Sequence, residues 1–114
     1  MNTLRKLLEM YNITLDSEFS TKEIKLEHRE CSFRITQEPM DYIDDATESE
    51  LNSKLFEFEF IDNSIGNITI FSLKFTNDFT FVESHVSEVS MNEDDFFDET
   101  NEYFEIIMLE FNGA

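Results

Sequence analysis

Lysine and arginine are scarce in this chain: 8 of them face 26 aspartates and glutamates, which leaves a formal net charge of −18 over 114 residues. A chain this acidic repels nucleic acids and anionic membranes, and it attracts cations and basic proteins. The single cysteine, Cys31, cannot form an internal disulfide, which favours a reducing compartment. The first residues lack the apolar core of a secretory signal, and no run approaches the ~18 apolar residues of a membrane span. These absences predict a cytoplasmic protein that binds neither membranes nor nucleic acid directly.

Glycine, proline and tryptophan are also rare, with two, one and no copies, whereas phenylalanine has 13. Low-complexity chains and long linkers need glycine and proline, so both are excluded. An acidic disordered tail would lack the aromatic residues, so the chain should fold despite its charge. We therefore predict a single domain over residues 1–114.

The first third of the chain predicts one helix and two strands. Leu4, Leu7, Leu8 and Tyr11 recur at helical spacing, which predicts a helix over residues 2–11 that stops at Asn12. From Thr21 the period changes to two and predicts two half-buried strands around a polar turn at 27–30. Residues 37–54 have weak periodicity, which fits an acidic surface loop or a short helical turn.

The middle of the chain predicts an antiparallel meander. Phe56, Phe58 and Phe60 alternate with Glu57 and Glu59, the clearest strand pattern in the sequence. A hairpin turn with Gly66 at positive φ should follow, and the return strand should run over 68–75. Within that strand Ile68 and Ile70 fall in the opposite alternating set from Phe71, Leu73 and Phe75, which predicts either a bulge or burial on both faces. A third strand is predicted to start at Phe79.

Two interpretations compete for the end of the chain. Ser90 and Glu93 match a capping box, and the acids that follow suit a helix N-terminus. Residues 103–111 are rich in strand formers, however, so we favour an acidic loop or short helix at 91–101 and a final strand at 102–111. The predicted fold is therefore α+β: an antiparallel β-meander of about five or six strands with a short N-terminal helix and, in the helical alternative, a short acidic helix near 91–101.

The sequence gives little support for catalysis or for cofactor binding. Cys31 alternates with Phe33 and Ile35, so it is interpreted as a buried structural thiol, and the histidines, His28 and His85, lie in ordinary surface settings. No acid pair stands out among so many. The acidic runs lack the spacing and glycine of an EF-hand, and one cysteine with two separated histidines does not make a zinc site. We expect no enzyme activity, no cofactor and no specific metal.

The negative charge is confined to one part of the chain. Residues 1–37 carry six acids and six bases, whereas residues 38–114 carry 20 acids with only Lys54 and Lys74. This segregation predicts an acidic surface directed at a partner, with Phe96 and Phe97 as its best apolar anchors. The alternative, which we favour, is that one or both of these side chains cap the core. The predicted partner-binding residues are Asp41, Asp44, Asp45, Glu48, Glu50, Glu57, Glu59, Glu93, Asp94, Asp95, Phe96, Phe97, Asp98, Glu99 and Glu102.

The hypothesis that follows is an inhibitor that imitates DNA or RNA and blocks a basic partner, such as a nuclease or another nucleic-acid-binding protein. Phage anti-defence inhibitors, such as anti-CRISPR and anti-restriction proteins, share this size and charge, although no motif here identifies such a family. In that case the chain would act in the cytoplasm of a bacterial host. Two alternatives stay open: an immunity protein that neutralises a basic toxin, and an acidic structural or interaction domain with no inhibitory role.

Overall fold

A computed structural model describes residues 1–15, 21–26, 29–38 and 55–111. These residues form two helices and six strands, which confirms the predicted α+β class. In chain order the elements are α1 (Asn2–Met10), β1 (Thr21–Leu26), β2 (Cys31–Glu38), β3 (Leu55–Asp62), β4 (Ile68–Thr76), β5 (Phe81–Val86), β6 (Val89–Met91) and α2 (Glu93–Phe111).

The six strands form one antiparallel sheet in the order β1-β2-β3-β4-β5-β6, so each strand pairs with its neighbours in sequence. The predicted meander is therefore confirmed. Because side chains alternate along a strand, Phe56, Phe58 and Phe60 share the inner face of the sheet while Glu57 and Glu59 share the outer face. The inner face continues on β4 through Phe71, Leu73 and Phe75, and all of these rings and side chains are buried.

A β-bulge interrupts the pairing of β3 with β4, as the sequence predicts. Phe60 pairs with Phe71, but the next residue, Ile61, pairs with Thr69, which leaves Ile70 as the extra residue. Because of the bulge, the consecutive residues Ile70 and Phe71 both pack against the core, which regular alternation would not allow. Gly66, in the connection between these strands, has φ +110°, a conformation that glycine adopts without steric cost.

The third strand of the meander, β5, begins at Phe81 and not at Phe79 as predicted. Phe79 lies in the preceding turn with φ +64°, where the Asp78 carboxylate accepts hydrogen bonds from the Thr76 and Thr80 hydroxyls. Its ring stacks on Phe75 at 5.9 Å between centroids. These contacts hold the chain in a left-handed conformation that is unfavourable for a bulky residue.

Helix α1 packs three buried leucines, Leu4, Leu7 and Leu8, against the inner face of the sheet. It ends at Met10, one residue before the predicted end, and Asn12, the predicted stop, has φ +56° and donates its N–H to the Glu9 carbonyl oxygen at 3.1 Å. The Tyr11 hydroxyl then donates to the Ile107 carbonyl oxygen of α2 at 2.8 Å. This contact ties the two helices together on the inner face.

The prediction of a final strand over residues 102–111 is wrong, because the acidic helix continues through them. The side chains that α2 buries are three or four residues apart: Phe96, Thr100, Phe104 and Ile107. This spacing places them on one helical face against the sheet, and the packing outweighs the local preference of Tyr103, Phe104 and Ile106 for strands.

The N-terminal cap of α2 also differs from the prediction. Asn92 and Asp95 form the capping interaction, since the Asn92 Oδ1 atom accepts the Asp95 backbone N–H at 2.9 Å and the Asn92 amide donates to the Asp95 carboxylate at 3.1 Å. Ser90, the expected cap, belongs to β6. The helix therefore begins directly after the last strand.

Candidate functional site

Helix α2 carries eight acidic residues among its 19 positions and no lysine or arginine. Six of the eight side chains are exposed, and we call this set the acidic ridge. Its members are Asp94, Asp95, Asp98, Glu99, Glu102 and Glu105.

The acidic ridge lies on one side of α2 because its members are one, three or four residues apart. The opposite side of the helix is fixed by the burial of Phe96, Phe104 and Ile107, so the ridge faces away from the sheet. From Asp94 to Glu105 it covers about 16 Å of helix axis at ~1.5 Å per residue. Carboxylates three or four positions apart repel each other, which costs a few tenths of a kcal/mol per pair.

No lysine or arginine of the described residues forms a salt bridge with the acidic ridge. The hydrogen bonds to its side chains come from neutral amides: Asn92 donates to Asp95, and Asn101 donates to Glu105 at 3.3 Å. Glu93, at the start of the helix, differs because its carboxylate lies 3.5 Å from the Met1 ammonium group. The ridge thus presents six carboxylates without a basic neighbour in this part of the chain.

Glu59, a second predicted site residue, is neutralised within the protein. Its side chain is only 13% exposed, and its Oε1 atom lies 2.9 Å from Nη2 of Arg34 on the neighbouring strand. The Thr69 hydroxyl donates to its Oε2 atom at 3.3 Å. Arg34 therefore holds this carboxylate in the outer face of the sheet, where it has structural partners.

Glu57, which neighbours Glu59 on the same face, is held partly in its neutral form. Burial and the adjacent carboxylates of Glu59 and Glu38 raise the pKa of Glu57 from 4.5 to about 7, a hydrogen bond with Glu59 contributes, and Lys74 opposes the rise. Lys74 itself forms a salt bridge with Glu83 at 3.3 Å. At neutral pH this face of the sheet therefore alternates basic, acidic and half-protonated groups.

The structure does not bring Glu57 and Glu59 together with the acidic ridge. They project from the outer face of the sheet, whereas α2 covers the inner face and turns its ridge away from it. The prediction that these residues share one acidic surface is therefore wrong for these two groups. Asp41, Asp44, Asp45, Glu48 and Glu50 lie outside the described residues, and their part in a binding surface stays a prediction.

The two proposed apolar anchors have different environments. Phe96 is fully buried and its ring meets Phe71 edge-on at 5.4 Å, so it belongs to the core and is not available to a partner. Of the two interpretations of Phe96, the core position is therefore confirmed and the surface anchor is wrong. Phe97 is half-buried against Phe96 and Phe104, and its exposed part stays a candidate contact beside the ridge.

The predicted partner-binding residues omit two features of this region, Glu105 and a groove. Glu105 belongs to the ridge, but its position at three residues after Glu102 is informative only once the helix is known to continue. The second feature is a groove of about 440 Å³ between β6 and the first two turns of α2. Its lining consists of Val89, Ser90, Met91, Asn92, Asp95, Asp98 and Glu99.

In the described part of the chain no three histidine, cysteine, aspartate or glutamate side chains are grouped closely enough to hold a metal ion. Cys31 is buried, and this burial raises the pKa of its thiol, as expected for a structural cysteine. Neither of the two helices described is both long and apolar enough to cross a membrane.

No protein-family model, curated protein or solved structure matches the chain at a significant level.

Proposed function

We propose that this chain is a small acidic inhibitor whose ridge occupies the basic site of a nucleic-acid-binding protein in place of DNA or RNA. The observation that supports this function is the acidic ridge itself: six exposed carboxylates stand on one face of one helix, and no base of the described residues pairs with them. A merely solubilising surface would mix charges of both signs, as the outer face of the sheet does.

The density of charge on the ridge is similar to that of one nucleic-acid strand. Six carboxylates over about 16 Å give one negative charge per ~3 Å, and one strand of B-DNA carries a charge per ~3.4 Å of axis. A site that is shaped to meet successive phosphates therefore finds charges at a similar interval. The Phe-rich core beneath α2 fixes the helix, so little ordering is needed when the ridge binds.

The charge would act mainly on the rate and selectivity of association. A field of one sign accelerates encounter with a basic site at low ionic strength and loses this effect as salt screens it. A long-lived complex also needs apolar contacts within the charged surface. Phe97, which is half-buried next to Asp98, is the side chain on α2 best placed to provide one.

The test is capture of partners from a bacterial lysate by the immobilised chain at low and at high salt. The ridge variant replaces Asp94, Asp98, Glu102 and Glu105 by their amides. A matched control replaces four exposed acids elsewhere, Glu9, Glu23, Glu30 and Glu88, and therefore changes the net charge by the same amount. We expect the wild type and the control to retain basic nucleic-acid-binding proteins at low salt, and the ridge variant to retain at least tenfold less.

Competition then separates imitation of nucleic acid from other uses of an acidic surface. Duplex DNA or RNA added to the column should release the captured proteins if the ridge occupies their nucleic-acid site. Retention of a basic toxin that nucleic acid does not release would favour the immunity protein. Equal capture by the ridge variant and the control would contradict a role for the ridge, and no capture at low salt would contradict the inhibitor.

A further inference from the structure

Strand β6 forms one edge of the sheet that the structure describes, because it pairs only with β5. Val86 and Val89 close the two-residue turn between them, in which Ser87 and Glu88 have φ of +48° and +72°. In such a hairpin the two residues that flank the turn form a hydrogen-bonded pair, and the pattern alternates from there. Val89 and Met91 therefore direct their backbone groups to β5, whereas the N–H and C=O of Ser90 point away from the sheet.

The open edge at Ser90 faces the groove between β6 and α2. Three carboxylates line this groove, those of Asp95, Asp98 and Glu99, and no lysine or arginine of the described ranges does. Val89, which is 58% exposed, adds an aliphatic surface at one end. Backbone groups that no strand pairs thus lie beside carboxylates that no described base pairs.

We propose that this groove receives an extended, lysine- or arginine-containing segment of the partner, which pairs with Ser90 as an additional antiparallel strand. The inference rests on the proposed function and specifies how the partner engages the acidic surface. An extended chain suits the outward N–H and C=O of Ser90 better than a helix does, since its own backbone donors and acceptors lie in a matching line.

The spacing of the carboxylates suits the spacing of side chains on such a strand. Alternate residues of an extended chain lie about 6.6 Å apart on one face. Asp95 and Asp98, or Asp95 and Glu99, are separated by about one helical turn of ~5.4 Å, and flexible basic side chains can span the small difference. Basic residues at every second position would therefore each meet a carboxylate while the backbone pairs with β6.

The competing occupant is a second copy of this chain, whose own edge strand β1 carries Lys22 and Lys25. It is less suited than a basic partner, because β1 also carries Glu23 and two copies would bring together a formal charge of −18 each. Sedimentation of the protein alone at low salt should give a monomer. A concentration-dependent dimer that Ser90→Pro abolishes would show that a second copy, and not a basic partner, occupies the edge and would overturn the proposal.

The direct test uses an eight-residue peptide of alternating lysine and threonine, with its binding to the full chain measured by fluorescence anisotropy. A second peptide of identical sequence and charge is N-methylated at alternate residues, so it lacks the backbone donors that face β6. We expect the methylated peptide to bind at least tenfold more weakly. This comparison needs only the wild-type protein. Equal affinity of the two peptides, or no binding of either peptide, would overturn the proposal.

A backbone variant tests the same contact from the other side. Ser90→Pro removes the outward N–H without changing charge, and proline is tolerated at an edge where the N–H faces solvent. It should weaken binding of the unmethylated peptide at least tenfold, while Ser90→Ala should leave it unchanged. If Ser90→Pro binds normally but the ridge variant loses lysate capture, strand addition fails and the proposed function stands. If the ridge variant also captures basic proteins normally, the strand-addition proposal and the proposed function both fail.

Discussion

The outer face of the sheet and the exposed face of α2 are both rich in carboxylates, but they differ in whether these carboxylates have basic partners. On the sheet, Glu59 pairs with Arg34, Glu83 pairs with Lys74, and the pKa of Glu57 rises to about 7. On α2, no base of the described residues pairs with any of the six ridge carboxylates. The difference separates charge that stabilises the protein from charge that the fold leaves exposed.

This difference follows from where the bases stand in the register. Arg34 lies directly opposite Glu59, and Lys74 lies between Glu57 and Glu83, so cross-strand neighbours balance one another. Helix α2 contains no base that could do the same at i+3 or i+4. A net charge alone therefore does not identify a binding surface, because the local pairing of each carboxylate decides whether it is available.

The largest effect should come from Phe71→Ala, which removes the support common to both surfaces. Phe71 stacks on Phe60 at 5.5 Å and contacts Phe104 of α2 at 5.6 Å. We expect the free energy of unfolding in urea to fall by about 4 kcal/mol, the usual cost of a buried Phe→Ala change. Phe111→Ala, at a ring that is 48% exposed, is the control and should cost less than about 1 kcal/mol. Similar losses for both variants would contradict the central position of Phe71.

The next largest effect should come from Arg34→Met, which removes the basic partner of Glu59 on the outer face of the sheet. The variant leaves the Glu59 carboxylate with the Thr69 hydroxyl and without its cation. Because the pair is only partly buried, we expect a loss of about 2 kcal/mol in urea unfolding at pH 7, between the values for surface and buried pairs. Asp98→Asn, on the ridge, should cost nothing measurable. A loss below about 0.5 kcal/mol for Arg34→Met would show that the sheet carboxylates need no pairing.

Glu57→Gln should change how stability depends on pH. The pKa of Glu57 is raised from 4.5 to about 7 in the folded protein, so the folded state binds the proton more tightly than the unfolded state. This stabilisation is complete below pH 4.5 and is lost as the pH rises through 7, and unfolding is easier above that range. For a group this exposed we expect about 1 kcal/mol.

The measurement is urea unfolding of wild type and Glu57→Gln between pH 4 and pH 8. The wild type should lose about 1 kcal/mol relative to the variant across this range, because glutamine does not titrate. Glu105→Gln serves as the matched ridge control and should follow the wild-type curve. Parallel curves for wild type and Glu57→Gln would contradict the coupling of Glu57 to its neighbours.

The smallest effect, and the only gain, should come from neutralising the ridge. The variant that combines Asp98→Asn, Glu102→Gln and Glu105→Gln removes repulsion between carboxylates at helical spacing. We expect the free energy of unfolding to rise by about 0.5 kcal/mol at low ionic strength and the gain to vanish in ~1 M salt. A loss of stability would mean that the ridge carboxylates have structural partners like those on the sheet.

The sequence predicts the sheet well because the alternation of Phe56, Phe58 and Phe60 with glutamates has one physical solution. A strand with aromatic residues at every second position buries the side that carries them. Ile70 does not belong to this alternating set, and it is the extra residue of the bulge. The secondary structure at the end of the chain is harder to predict, because Tyr103, Phe104 and Ile106 favour strands by local preference. The helix is favoured by the contacts of Phe104 with Phe58 and Phe71, which lie far from it in the sequence.

The candidate site was predicted in part for the same reason. The acids from Glu93 to Glu102 are visible as a run, but their common face depends on the helix. The separation of Glu57 and Glu59 from that face depends on which side of the sheet the helix covers, and the burial of Phe96 depends on its contact with Phe71. These features depend on contacts between the helix and the sheet, and the pattern of residues within one segment does not reveal such contacts.

The position of α2 after all six strands has a consequence for the newly made protein. Synthesis proceeds towards the C-terminus at ~5–20 residues per second, so the 19 residues of α2 take roughly 1–4 s to produce after β6. Until α2 has been made and has docked, the strands lack the helix that covers Phe58 and Phe71. These aromatic side chains therefore stay uncovered by α2 until it docks, and a chaperone that binds aromatic surfaces would act on the chain before that step.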